Sequence, residues 1–298
     1  MLKQSENKVV IEGILSEVNL KTGEFEKKGV KKEYVRGDIK IRLHQLIGEE
    51  DVEMEVPVFV FSTKYTNKGT INPSYNSIMH IMEDYTSIAS CGNEEEADRI
   101  RVTGAEIRSN EFCSTDGRLV VYPRVEGSFF SKVRKDEYKP GATFKTSVVI
   151  VNIKDEETKD GDTTGRLVVS AGIVQYGEKI DVVDFVVASK NAISHINANW
   201  EVGDTVIING KINYSSKVEY IEEEMDFGDP VIKPVTTSVR DFIIVSGSGK
   251  GVSKDNAYDK DEIKKALLAR KMRLDELVAE AGKKNSTSTA SKASDFGF

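Results

Sequence analysis

The chain contains few of the residues that usually organise metal sites or disulfides. Among 298 residues there are two cysteines and three histidines. Cys91 and Cys113 have no zinc-type spacing and are expected to be free thiols in a cytosolic protein. His44, His80 and His195 are scattered, so no metal site is expected. No stretch approaches the length of a membrane span, and the opening MLKQSENKVV has no apolar h-region. A cytoplasmic protein without membrane contact is expected, in a host cytoplasm if the chain is viral. Positive net charge is also missing. At −7 the chain has no global attraction for nucleic acid, and any such binding must come from local basic stripes.

Signatures of catalysis are absent too. GSGKG at 247–251 lacks the spacing of a phosphate-binding loop and has no Ser or Thr after its Lys. DFG occurs at 226–228 and 295–297 with no glycine-rich or His-Arg-Asp loop to make a kinase. DEETKDGD at 155–162 places too few oxygens for a calcium loop and reads as a hairpin turn. Nothing pairs a nucleophile with a base. A protein that is not an enzyme and needs no cofactor is expected.

What is present is alternation. Val and Ile alternate with polar residues over much of the chain, a strand signature, while 39% hydrophobic and 31% charged residues suit small domains with large surfaces. The order of elements also repeats. VIEG at 10–13 matches RVEG at 124–127, VPVFVFST at 56–63 matches VVDFVVAS at 182–189, and RVTGAEI at 101–107 matches IINGKIN at 207–213. Each half reads strand–strand–strand–helix–strand–strand, the order of the OB-fold, a small Greek-key β-barrel that binds oligonucleotides or oligosaccharides. The expected fold is mainly β, with two tandem OB-fold units at 1–122 and 123–247. A flexible linker at 248–258, a helix at 259–282 capped by Asp259 and stopped by Gly282, and a disordered tail at 283–298 complete it. Ile263, Leu267, Leu274 and Leu277 or Val278 give that helix an apolar stripe that either docks on a barrel or meets a partner helix, docking being the more usual outcome.

Alternation also assigns faces. Ile39, Ile41 and Leu43 oppose Lys40, Arg42 and His44, and Val52, Met54, Val56, Val58 and Val60 oppose Phe59 and Phe61. If the valines are core, the two phenylalanines stand outside beside a cationic stripe. Single-stranded nucleic acid needs that combination of rings for base stacking and cations along the phosphates. A loop at 21–36 adds Lys27, Lys28, Lys31, Lys32 and Arg36 with Phe25 and Tyr34 interleaved. Its expected counterpart at 129–141 holds Phe130, Lys132, Arg134 and Tyr138, and Tyr214 is a further candidate.

The chain stops on SKASDFGF, where Phe296 and Phe298 follow Asp295 in a stretch unable to bury them. Tandem OB-folds, acidic net charge, a Ser/Thr tail and a final Phe after an acid together resemble the single-stranded DNA-binding proteins of bacteriophages and bacteria. The resemblance covers architecture and tail chemistry. It implies a protein that coats and protects single-stranded DNA during replication and recombination. It further implies a tip of Asp295, Phe296 and Phe298 that recruits replication or recombination enzymes, the rings entering an apolar pocket and the acid meeting basic residues. Bacterial tips carry several acids; this one has a single Asp with Lys292 nearby, which leaves a phage-encoded partner as plausible as a host one. A viral structural or adaptor protein and an RNA-binding protein are the alternatives.

Overall fold

A computed structural model describes residues 2–27, 29–158, 160–223, 231–249, 251–252 and 257–292. Strands dominate. In the first part of the chain β1 (Asn7–Lys27), β2 (Val30–Ile47) and β3 (Glu50–Thr63) are followed by α1 (Pro73–Asp84) and α2 (Ile88–Cys91). Then come β4 (Arg99–Cys113), β5 (Leu119–Glu126) and β6 (Phe129–Lys132). The second part contains β7 (Gly141–Glu157), β8 (Thr163–Val174), β9 (Ile180–Val187), α3 (Lys190–Asn199), β10 (Thr205–Glu223) and β11 (Val231–Gly247), and α4 (Lys260–Lys292) ends it.

Sequence chemistry explains the joints. β2 turns into β3 at Gly48, whose φ of 63° is a left-handed conformation that glycine adopts at little cost. Asn72 caps α1 by accepting from Ser74 N at 3.1 Å, with Pro73 in the first turn where its missing N–H costs nothing. Asp259 accepts from the amides of Asp261 and Glu262, both at 2.9 Å, and these bonds hold its carboxyl below the usual range.

Strand pairing traces two closed circuits. In the first, β1 pairs with β2, β2 with β3, β3 with β5 in parallel at Val58 and Phe59, β5 with β4, and β4 returns to β1. The second runs β7–β8–β9–β11–β10–β7, with a parallel contact between Ile243 and Val186. Local details repeat between them. β1 is irregular between Leu15 and Glu17, and β7 between Ile150 and Asn152. Leu15 N donates to Asp98 O at 2.9 Å, and Ile150 N donates to Asp204 O at 2.9 Å. Residues 7–12 of β1 lie antiparallel to residues 141–146 of β7, joining the circuits into one sheet. The valines and isoleucines expected to face inward do so: Ile39, Ile41, Val56, Val58 and Val60 are all buried. Phe144, Phe185, Phe242 and Tyr214 pack edge-to-face or tilted at 5.5–6.2 Å inside the second circuit.

Several boundaries differ from the sequence-based expectation. The segment 21–36 is no loop; it is a two-stranded ribbon, the outer end of β1 and β2. β5 runs straight through 122 and 123 and closes the first circuit, so the stretch 124–133 does not open the second. RVEG imitates VIEG because apolar–acid–Gly fits any coiled strand, and Pro123 sits where β5 has only β4 beside it, a position that tolerates proline. The described residues between 248 and 258 are pinned: Val252 N bonds Thr205 O at 2.8 Å, and Trp200 Nε1 bonds Ser248 O at 3.2 Å. α4 passes through Gly282 and reaches Lys292, ten residues into the stretch expected to be disordered, because Gly282 does not take the left-handed conformation that ends helices. The helix docks as its stripe requires: Ile263 packs with Leu2, Val149, Val174 and Ile180. No described helix is long and apolar enough to cross a membrane.

Candidate nucleic-acid interface

The outer face of β1, β2 and β3 carries the aromatic and cationic residues in one patch. Registers place Lys21 beside Arg36 and Arg36 beside Phe61; one step outward, Gly23 is beside Tyr34. Tyr34 therefore stands between two rings, with centroids 5.8 Å from Phe25 and 5.8 Å from Phe61. The Arg36 guanidinium lies 5.7 Å from the Tyr34 centroid. Phe61 is 49% exposed although it alternates with buried Val60 and Ser62. Rings displayed in a row on a strand surface, with unpaired cations beside them, can stack bases and hold phosphates. Lys21, Lys27, Lys32 and Arg36 have no ion-pair partner among the described residues, while Lys31 sits 3.8 Å from Glu24 with both side chains largely exposed. Lys28 lies outside the described residues.

Further down the same face the charges are matched. Lys40 Nζ is 2.6 Å from Glu17 and 3.8 Å from Glu55, and the hydrogen bond to Glu17 raises its pKa. Arg42 lies 3.7 Å from Glu53 and 3.9 Å from Glu55. Any phosphate has to compete with these resident carboxylates for the two cations. Phe59 is half-buried, and the Arg124 guanidinium lies 3.8 Å from its centroid, held by Glu126 at 2.6 Å. Phe59 is thus seated under a cation, not bare like Phe61.

The candidates from 129–141 do not form a counterpart of this ribbon. Phe130 is 9% exposed in the core, because alternation along β6 turns Phe129 outward in its place. Lys132 bonds Asp98 at 2.8 Å and lies 4.7 Å from the Tyr85 centroid. Arg134 pairs with Glu137. Tyr138 is half-buried beneath Arg99 at 5.5 Å, and burial pushes its phenol up. Tyr214 is 8% exposed in the aromatic cluster, donates to Pro123 O at 3.4 Å, and is pushed up to about 12 by burial. It is core. In the second circuit the place of Phe59 and Phe61 is taken by Phe185 and Val187, both buried, and Arg166 is bound to Glu156 and Asp241. Asp295, Phe296 and Phe298 lie outside the described residues.

Three further residues join the face in the folded chain. Lys21 belongs to it by register, Arg124 comes from a strand distant in the chain, and Tyr65, 47% exposed under Lys64 at 5.7 Å, follows the parity of Phe59 and Phe61 beyond the end of β3. Only Tyr65 had a signal, the continued alternation.

Fold and face define a mainly β chain of two pairing circuits with an aromatic, cationic outer surface on β1–β3 and a docked C-terminal helix. Residues 5–280 match the model of the YorF family, and the chain belongs to that family. No curated protein matches it. Among solved structures it is similar to the wild-type single-stranded DNA binding protein from Thermus aquaticus, at 12% identity and a TM-score of 0.48 over 86% of this chain and 98% of that one. A deletion mutant of the same protein gives 10% identity and a TM-score of 0.49 over 84% and 97%.

Proposed function

We propose that this protein binds single-stranded DNA and is not an enzyme, using two tandem OB-fold units of which the first supplies the main binding face. The observation that carries the reading is the row Phe25–Tyr34–Phe61 with Arg36 against it and uncompensated lysines on the same ribbon. Each base stacked on such a ring contributes roughly 1–3 kcal/mol whatever its identity, and the cations follow the backbone. The setting would be phage-type replication or recombination in a host cytoplasm, with the segment at 295–298 as a recruiting tip. The test is a titration of the full chain with labelled single-stranded DNA, duplex and RNA over a salt series. Tighter binding to single-stranded DNA, with log K falling about 0.7 per neutralised phosphate against log salt, supports the reading. Equal affinity for duplex sinks it, and tighter binding to RNA moves the function to RNA.

A further inference from the structure

We propose that the hairpin of β4 and β5 carries a second stacking platform for unpaired bases, the pair Phe112 and Tyr122, reached from Phe61 across Arg124. The inference rests on the single-strand reading of the β1–β3 face. Phe112 and Tyr122 are 41% and 40% exposed, and their rings meet edge-on with centroids 6.3 Å apart at 87°. Two neighbouring rings in water on a solvated hairpin leave apolar surface that the described residues do not cover.

Their position connects them to the first patch. β4 and β5 pair Arg108 with Arg124, Asn110 with Tyr122 and Phe112 with Val120, so Phe112, Tyr122 and Arg124 share one face. Tyr122 and Arg124 are two residues apart on one strand, about 7 Å. Arg124 already lies 3.8 Å above Phe59, which shares the outward parity of Phe61 on β3. The Arg124 guanidinium, paired with Glu126 at 2.6 Å, offers a plane between two sets of rings on which a base can stack. The opposite side of the hairpin is anchored: Glu111, next to Phe112 in sequence and with a side chain only 2% exposed, binds Arg270 of α4 at 2.6 Å and also Arg273. The platform therefore stands on a braced support.

The test uses the full chain with oligothymidylates of about 4 and about 16 nucleotides, the span of site sizes known for such folds. Phe112→Ala and Tyr122→Ala are each expected to weaken the long oligomer about ten-fold, within the range for one lost stack, and to leave the short one unchanged; Phe61→Ala weakens both. Tyr122→Trp keeps a ring, so it should retain affinity and lose indole fluorescence as the long oligomer binds. Unchanged long-oligomer affinity in both Ala variants, with wild type still binding, overturns the platform alone. If an Ala variant melts early, absence of quenching in Tyr122→Trp overturns it instead. If wild type binds neither oligomer, the single-strand reading falls and the platform with it.

Discussion

Tyr34 lies directly over Gly23 on the neighbouring strand: a Cβ at residue 23 would stand 2.7 Å from the Tyr34 hydroxyl oxygen and 2.8 Å from the ring carbon bearing it. The glycine is there for the ring's sake, since its φ is not left-handed. Its missing side chain lets Tyr34 lie between Phe25 and Phe61. Gly23→Val should push the ring away and weaken single-strand binding by up to roughly 1–3 kcal/mol, the worth of one stack. Fluorescence titration measures the loss. Affinity equal to wild type would show that Tyr34 needs no such seat.

Charge and stacking should separate. Removing Lys21, Lys27 and Lys32, which have no ion-pair partner among the described residues, should flatten the salt slope by about 0.7 for each phosphate no longer neutralised. Lys40→Ala should change it less, because Glu17 and Glu55 already hold that ammonium. A larger slope change from Lys40 would place the phosphate track lower on β2.

Burial distinguishes Phe61 from Tyr214. Phe61→Ala removes a half-exposed ring and should shift stability by no more than about 0.5 kcal/mol. Tyr214→Ala removes a core ring and should cost about 3–5 kcal/mol. The raised Tyr214 pKa means that the folded state holds the proton more tightly than the unfolded chain. Stability is therefore lost as pH rises from 10 to about 12, and Tyr214→Phe should remove that part of the loss. Denaturant melts across this range measure both.

Asp181 links the circuits, lying 3.1 Å from the Arg108 guanidinium and accepting from Ser109 N at 3.3 Å. Burial nevertheless raises its pKa, outweighing the nearby arginine. The folded protein binds this proton more tightly, so the contribution is full below 3.8 and declines as pH rises through the shifted value. Asp181→Asn should gain relative to wild type as pH climbs above 3.8. A gain in the opposite direction, seen in melts from acid to neutral pH, would mean that Arg108 controls the carboxyl.

Inward faces were legible in the sequence because alternation is a property of the strand alone: Val56, Val58 and Val60 could be assigned core without knowing their partners. The outward position of Phe61 followed from the same rule. Phe130 and Tyr214 were misplaced because aromatic character does not say which side a strand will bury, and a one-residue shift exchanges Phe129 for Phe130. The seat of Phe59 under Arg124 depends on a parallel contact between strands 67 residues apart, as Val58 to Val125, and no local pattern reports that. The stop expected at Gly282 failed because glycine permits a left-handed end without imposing one.

The pairing of β1 with β7 also sets an order of events during synthesis. The strand that covers the second edge of residues 7–12, residues 141–146, leaves the ribosome more than 100 residues after them. At about 5–20 residues per second residues 7–12 wait on the order of ten seconds with that edge bare. Such an edge is a template for pairing with a neighbouring chain. A gene fragment ending before residue 141 would make that wait permanent, so its product should accumulate in inclusion bodies while the longer chain stays in solution.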